Sequence, residues 1–188
     1  MKSRQQLFYG GVPVPYTASW SAEEGTLHLA ACRWANSALA LCQAQHRGIG
    51  KPVFGKPHMV RQREVIASGL CDLCGKKLSH CSKVSLSHAR VDPHAAEGPA
   101  VLQVEPLLHR QCAAICVQHC PSLLRDIENG TLHIRLVQRY RIQWAIMRPE
   151  SVAEFTGGEA VAAIGHAKVE LQLWRGMPVE WLLQGEGL

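Results

Sequence analysis

Two cysteines, two residues apart and followed by a glycine, stand at residues 71–75 of this 188-residue chain, in the sequence CDLCG. A CxxC turn places two thiolates on one side of a tight backbone turn, and structural zinc sites often take two of their four tetrahedral ligands from such a turn. A second pair, His109 and Cys112, stands three residues apart at a predicted helix start, where the helix dipole favours an anionic sulfur. The sequence therefore predicts a zinc ion held by Cys71, Cys74, His109 and Cys112.

Other cysteines and histidines near these four are alternative ligands. They are Cys116, His119 and Cys120 on the same predicted helix, and His80 and Cys81 beside the CxxCG turn. Cys112, Cys116 and Cys120 recur every four residues and form one stripe along the helix, which favours a packing role for the last two. Cys32 and Cys42 have no metal-like partner nearby in the sequence, and we expect both in the core.

The elements around the predicted ligands follow the order of a treble clef. The clearest helix of the first half covers residues 57–70 and leads directly into the CxxCG turn. Residues 82–88 and 99–104 then read as two strands of a hairpin, and a turn after Glu105 enters the helix that carries His109 and Cys112. We therefore expect an α+β single domain, built around a treble-clef-like zinc finger with small antiparallel hairpins and flanking helices.

The rest of the chain has weaker patterns. We expect a helix in the second half of residues 27–44, a loop over 46–57, a short helix from Pro121 to Asn129–Gly130, paired strands at 131–138 and 139–147, and a helix over 157–174. Three segments follow from this assignment. They are residues 1–56, an N-terminal region of helix and loop packed on the core; 57–130, the zinc-binding core; and 131–188, a hairpin and a C-terminal helix.

Charge is distributed unevenly along the chain. Residues 1–148 contain 18 Lys and Arg against 9 Asp and Glu, whereas residues 149–188 contain 2 against 6. A basic surface attracts polyanions, although these charges also fit solvated faces that the acidic C-terminal segment neutralises. Because Met59, Ile66 and Leu70 form the apolar stripe of the first clear helix, its arginines are expected to face solvent. The predicted nucleic-acid-binding face consists of Arg61, Arg63, Lys76, Lys77, Lys83 and Arg90.

A treble clef also forms the active site of HNH nucleases. Such enzymes place a general-base histidine on the first hairpin strand and a second histidine just after the last cysteine. His88 is the candidate for the base, but Ala113 follows Cys112 and cannot bind a catalytic metal. The HxE and PCxxC pair of deaminases is absent, as are GxxxxGK[ST], GxSxG and HExxH. The sequence therefore favours a protein that is not an enzyme.

The sequence indicates neither a membrane span nor an export signal. No stretch approaches the roughly 18 apolar residues that cross a bilayer, and the first residues, MKSRQQLFYGG, contain no apolar signal-peptide core. We therefore expect a cytoplasmic protein without a membrane partner, whose thiols are reduced and available for metal.

Two segments resemble small zinc-binding proteins of actinobacteria and of their phages or mobile elements. The segments are GKPVFGKPHMVRQREVIASGLCDLCG and LLHRQCAAICVQHCPSLLR. In that group a basic helix precedes a CxxCG turn, and a CxxC pair opens a helix that ends in Cys-Pro. The resemblance covers about residues 50–135 and implies that Cys71, Cys74, His109 and Cys112 occupy the four ligand positions, with His109 in place of a cysteine. The group has no known activity, so the resemblance supports the zinc site alone.

The leading hypothesis is a non-catalytic, zinc-stabilised protein that binds DNA, RNA or a nucleic-acid-handling protein through the basic face. The first alternative is a divergent HNH-like nuclease that uses His88. The second is a phage or mobile-element protein that binds a host protein through the acidic C-terminal segment, with Trp174 and Trp181 in the contact.

Overall fold

The computed structural model describes residues 5–79, 81–87, 90–91 and 101–184. The strands in these ranges are β1 (Leu7–Tyr9), β2 (Val12–Val14), β3 (Ala18–Trp20), β4 (His28–Cys32), β5 (Ala38–Cys42), β6 (Pro52–Pro57), β7 (Lys83–Ser87), β8 (Arg90–Val91), β9 (Val101–Gln103), β10 (Leu108–His109), β11 (His133–Met147) and β12 (Ala163–Met177). The helices are α1 (Met59–Ala67), α2 (Arg110–His119), α3 (Pro121–Glu128), α4 (Pro149–Thr156) and α5 (Val179–Leu183). None of these helices has the length and apolarity needed to cross a membrane.

Most of the strands belong to one mixed sheet with the order β10-β7-β11-β12-β5-β4. Strand β9 also pairs with β12, and β8 pairs with β9. Its pairs are antiparallel, except that β12 and β5 meet in parallel at Ile164 and Ala40. The 15-residue strands β11 and β12 pair along their whole length. The hydroxyls of Ser85 and Ser87 on β7 donate hydrogen bonds to Gln103 Oε1 on β9. Because β11 and β12 separate these strands in the ladder, the sheet must curl to bring them together.

Helix α1 closes a gap along the edge of β12. Strand β5 reaches β12 only at Ile164, and β9 pairs with residues 169–171, so the backbone of Ala167 lies between them. The Gln62 side-chain amide donates to Ala167 O at 2.8 Å and accepts from Ala167 N at 3.0 Å. A buried backbone amide needs such partners, so this polar residue of α1 substitutes for a missing strand.

Three predicted helices are confirmed, with bounds that differ by a few residues. The helix expected over 57–70 is α1, the helix expected after His109 is α2, and the helix expected after Pro121 is α3. Helix α3 ends before Gly130, which has a φ of 66° and suits a helix C-terminus. The α+β class is also confirmed, in one domain of mostly antiparallel strands.

The helix expected in the second half of residues 27–44 is wrong, because this region forms the hairpin β4–β5. Asn36 and Ser37 adopt left-handed φ values of 50° and 60° in the turn, a conformation that Asn tolerates better than most residues. The loop expected over 46–57 is wrong at its end, because β6 begins at Pro52 and pairs with β3.

In the C-terminal third, the strand conformation expected for residues 131–147 is confirmed over His133–Met147, but the expected hairpin and the expected helix are wrong. The hairpin expected within residues 131–147 is the single strand β11, because Gln138–Tyr140 offers no turn residue and forms a register irregularity instead. The helix expected over 157–174 is β12 over most of its length. The connection between these two strands contains α4, which ends at Gly157 with a φ of 66°.

The hairpin expected between residues 82–88 and 99–104 is also wrong in its partners. Strand β7 pairs with β10 and β11, whereas β9 pairs with β8 and β12. Between the CxxCG turn and α2, the described residues contain the short antiparallel pair β7–β10, whose two strands are separated in the chain by β8 and β9.

Candidate metal centre

Four side chains from three local elements converge beside α2. Cys71 and Cys74 lie in the turn after α1, His109 is the last residue of β10 and the N-cap of α2, and Cys112 lies in the first turn of α2. Their ligand atoms all lie within 4.8 Å of one another, a spacing that could hold a metal ion. The four residues predicted from the sequence are the four that the fold brings together.

The His109 ring has a defined orientation in this group. Its Nδ1 lies 3.4 Å from Cys74 Sγ and 3.8 Å from Cys112 Sγ. Its Nε2 lies 2.9 Å from Lys77 O, and a carbonyl can only accept, so Nε2 is the nitrogen that carries the proton. The lone pair of Nδ1 is therefore directed at the cysteines, as in a histidine that ligates a metal and is held by an outer carbonyl.

The turn that carries the two cysteines is held by its own backbone and by Tyr16. Cys71 N donates to Lys76 O at 2.8 Å, and Gly75 N donates to Cys71 O at 2.9 Å. Gly75 has a φ of 68°, and a Cβ atom at this position would lie 2.9 Å from the Tyr16 ring. The glycine of the CxxCG motif is thus required both by the backbone conformation and by the packing of the N-terminal segment.

The thiols of the cluster have shifted and mutually dependent pKa values. A hydrogen bond from Cys112 and backbone N–H groups of Cys74 and His109 lower the pKa of Cys71 to about 5, against the opposing effect of burial. The same hydrogen bond to Cys71 raises the pKa of Cys112, and burial raises the pKa of Cys74. The protonation of each sulfur therefore depends on the others, and a divalent cation that bound there would displace thiol protons.

The alternative ligands do not join this group. In the part of the chain that the structure describes, Cys116, Cys120, His119 and Cys81 belong to no cluster that could hold a metal. Cys116 packs against the main core, and burial raises the pKa of its thiol. Cys120 is the C-cap of α2, and Cys81 is exposed. His80 lies outside the described residues.

Cys116→Ala is expected to leave the metal content of the protein unchanged. The substitution removes only a packing sulfur, and the small cavity it leaves should lower the free energy of unfolding by about 1–2 kcal/mol. Cys120→Ala should likewise keep the metal. Elemental analysis with urea unfolding measures both effects, and Cys112→Ala serves as the control that loses metal. If either Cys116→Ala or Cys120→Ala lost its stoichiometric metal, the substituted cysteine would be a ligand and the proposed ligand set would be wrong.

Two residues of the predicted basic face are not on the surface. Arg61 is 4% exposed, and Arg63 is 1% exposed. Arg61 donates to Glu23 Oε1 and Oε2 at 2.6 and 2.7 Å, and Arg63 donates to Gly165 O and Leu41 O. The prediction that these arginines face solvent is wrong, because α1 is covered on both sides by β12 and by the N-terminal strands.

The other residues of that face have different positions. Lys76 and Lys77 are exposed beside the cysteine turn, and Lys83 on β7 is half-buried. The side chain of Arg90 and the whole of His88 lie outside the described residues. Ala113, which occupies the position of the second HNH histidine, is fully buried in the main core.

The two tryptophans expected in a host-protein contact are both engaged within the chain. Arg110 on α2 stacks on the Trp181 ring at 4.4 Å and donates to Trp181 O, which fixes α5 against α2. Arg135 stacks on Trp174 at 5.1 Å. Trp174 lies on strand β12, and Trp181 lies on the packed helix α5. The sequence contains no pattern that predicts the stacking of an arginine on either tryptophan.

The fold and the cluster define an α+β protein with a partly buried three-cysteine, one-histidine group that could hold a metal ion. No protein-family model, curated protein or solved structure matches the chain. The resemblance to actinobacterial and phage zinc proteins therefore stays a prediction.

Proposed function

We propose that the protein is a non-catalytic, zinc-stabilised binding protein. The observation that carries the zinc assignment is the orientation of His109, whose Nδ1 lies 3.4 and 3.8 Å from the sulfurs of Cys74 and Cys112 while Nε2 is held by Lys77 O at 2.9 Å. Three thiolates and one imidazole are a donor set that suits a tetrahedral zinc ion. The four protein ligands complete the coordination, so the metal has a structural role.

The zinc ion connects the elements of a treble-clef-like module. Cys71 and Cys74 come from the turn, and His109 and Cys112 come from the β10–α2 junction, which β7 joins through its pairing with β10. A metal ion bound there would link two segments that are more than 30 residues apart in the chain, and its binding energy would also be folding energy. The module presents the backbone turn with Lys76 and Lys77 in a fixed position.

The exposed cations around this turn are the proposed contact with nucleic acid. Lys76 and Lys77 are exposed on the turn, and Lys83 pairs in register with Val137, two residues before the exposed Arg139. Lys77 Nζ also donates to Ser68 O at 2.7 Å, which orients the side chain along the turn. A group of cations with a fixed spacing is suited to phosphates, while the nature of the bases would matter little.

Lys76→Glu combined with Lys77→Glu is expected to weaken binding to a short DNA duplex without changing the zinc content or the stability. Wild-type affinity should fall between about 50 and 200 mM salt, by roughly one log unit of K per log unit of salt for each phosphate neutralised. The double variant should have both a lower affinity and a shallower salt dependence. Electrophoretic mobility shift at the two salt concentrations measures both quantities.

Lys51→Glu is the matched control, since it reverses an exposed charge on the N-terminal segment. It should bind DNA as the wild type does. Equal affinities of the wild type and the Lys76/Lys77 variant, or no salt-dependent binding at all, would contradict the proposed nucleic-acid contact. Either result would favour a protein partner instead. The zinc assignment is tested separately by elemental analysis.

A further inference from the structure

A groove of about 520 Å³ lies between the β4–β5 hairpin and α1. Its size falls within the range of small-molecule sites in proteins. The residues that give the groove its chemical character are His28, Arg33, Trp34, Cys42, Arg63 and Glu64. None of them belongs to the metal cluster or to the lysines of the proposed nucleic-acid contact.

Arg63, at the inner side of this groove, carries a buried charge without an acidic partner. Its Nη1 donates to Gly165 O at 2.5 Å, and its Nη2 donates to Leu41 O at 2.7 Å. Its Nε is buried and makes no hydrogen bond. Among the described residues, no carboxylate lies within ion-pair distance of the Arg63 guanidinium. Carbonyl oxygens satisfy part of the hydrogen bonding of a buried cation but leave its charge uncompensated.

The nearest candidate counter-charge within the protein does not serve. Cys42 Sγ lies 3.4 Å from Arg63 Nη2, but burial raises the pKa of this thiol despite the opposing charge of Arg63, so the sulfur is neutral at pH 7. The acidic group of the groove, Glu64, accepts a hydrogen bond from the Tyr16 hydroxyl at 3.1 Å.

The outer wall of the groove adds positive charge. Arg33 is exposed and stacks on the Trp34 ring at 4.4 Å, which holds its guanidinium at the rim. His28 is exposed and lies opposite Cys42 in the β4–β5 ladder, so both side chains point to the same side of the hairpin. The two arginines outweigh the single carboxylate of Glu64, and the groove is cationic at its inner side and at its rim.

We propose that this groove binds a small ligand that carries a carboxylate or a phosphate group, contacted by the exposed His28 and Arg33 and attracted by the uncompensated charge of Arg63, which lies buried behind the inner side of the groove. The hairpin and α1 hold both cations before the ligand arrives, so little ordering accompanies binding. This site is separate from the metal centre, and the proposal does not depend on the nucleic-acid contact.

The test uses the zinc-loaded full chain and two probes, inorganic phosphate and succinate, each against sodium chloride at matched ionic strength. A ligand that binds only the folded state raises the melting temperature, so at about 10 mM either probe should raise it if its Kd is about 1 mM or tighter. A shift with phosphate alone assigns a phosphate ligand, and a shift with succinate alone assigns a carboxylate. No shift with either probe overturns the proposal.

The decisive variant is His28→Ala combined with Arg33→Ala, because both side chains are exposed and their loss should leave the fold intact. We expect its affinity for the active probe to fall by about tenfold or more. Arg63→Gln should have the same effect if it folds. Lys76→Glu with Lys77→Glu is the control and should bind the probe as the wild type does. An unchanged affinity in the His28/Arg33 variant would overturn the proposal, whatever the behaviour of Arg63→Gln.

Discussion

Cys74→Ser is expected to remove the bound zinc and to unfold the protein around the metal centre. The wild type, purified without chelator, should contain close to one zinc per chain. Serine keeps the size of the side chain but supplies no thiolate, and the binding energy of a structural zinc site, on the order of 10 kcal/mol, is also folding energy. Elemental analysis, with circular dichroism of any soluble fraction, measures the two effects together. Insoluble or unfolded protein with far less than one zinc is the expected result.

Cys81→Ser is the matched control for this substitution. Cys81 lies close to the same turn in the sequence, but it is exposed and belongs to no metal-capable cluster in the described residues. It should retain zinc and wild-type stability. A Cys74→Ser protein with stoichiometric zinc, or a wild type with none, would refute the zinc assignment.

The metal ligands were predictable because their spacing is local. A CxxCG turn and a histidine three residues before a cysteine each place two ligands by backbone geometry alone, and the order of elements between them brings the pairs together. The sequence does not show the contacts that hold the ligand residues in position. The carbonyl of Lys77 that orients His109, and the Tyr16 ring over Gly75, come from contacts across 32 and 59 residues of chain.

The missed strand β12 did have a signal in the sequence. Ala167, Val169, Leu171 and Leu173 alternate with Lys168, Glu170 and Gln172, the period of a strand with one buried face. Ala, Leu and Glu are also good helix formers, so the composition of this segment fits a helix as well. The pairing of β12 with β11 across its full length then decides its conformation, which is a tertiary effect that local preference does not contain.

The two arginines of α1 show a different limit. Helical periodicity identifies an apolar stripe, and Arg61 and Arg63 lie outside it, which usually means exposure to solvent. Here α1 is buried on its polar side as well, where Gln62, Arg61 and Arg63 bond to β12, to β5 and to the N-terminal segment. The acidic partner of Arg61 is Glu23, 38 residues earlier, and no local pattern connects the two.

Glu23 and Arg61 form a buried ion pair that joins the N-terminal segment to α1. Two hydrogen bonds link the carboxylate to the guanidinium, and Glu23 also accepts from the backbone N–H groups of Trp20 and His46, both at 2.9 Å. Burial raises the pKa of Glu23, but the hydrogen bonds and charge of Arg61 outweigh it and hold that pKa below the usual value. Burial and the Arg61 charge lower the pKa of the neighbouring His58 to about 4, so His58 is neutral at pH 7.

Arg61→Met is therefore expected to lower the free energy of unfolding by about 3–5 kcal/mol, because it leaves a carboxylate buried without its cation. Arg61→Glu adds a like charge to Glu23 and should give little or no folded protein, since whole domains are stable by only about 5–15 kcal/mol. Urea unfolding measures the first variant and soluble yield the second. Lys56→Glu is the control, because Lys56 pairs with Glu24 at the surface, where the two side chains are 57% and 47% exposed, and it should change stability by less than about 1 kcal/mol.

The double variant Glu23→Gln with Arg61→Met tests whether Arg61 stabilises the fold through its ion pair with Glu23 or through the packing of its long side chain. Removing both charges leaves no isolated ion, and the glutamine oxygen can still accept from one of the two backbone N–H groups, so the double variant should be more stable than Arg61→Met alone. If the two substitutions instead add, Arg61 stabilises the fold through packing and through its bonds to the Tyr16 and Ala18 carbonyls rather than through Glu23. We expect coupling, because the guanidinium and the carboxylate meet through two short hydrogen bonds in a region closed to solvent.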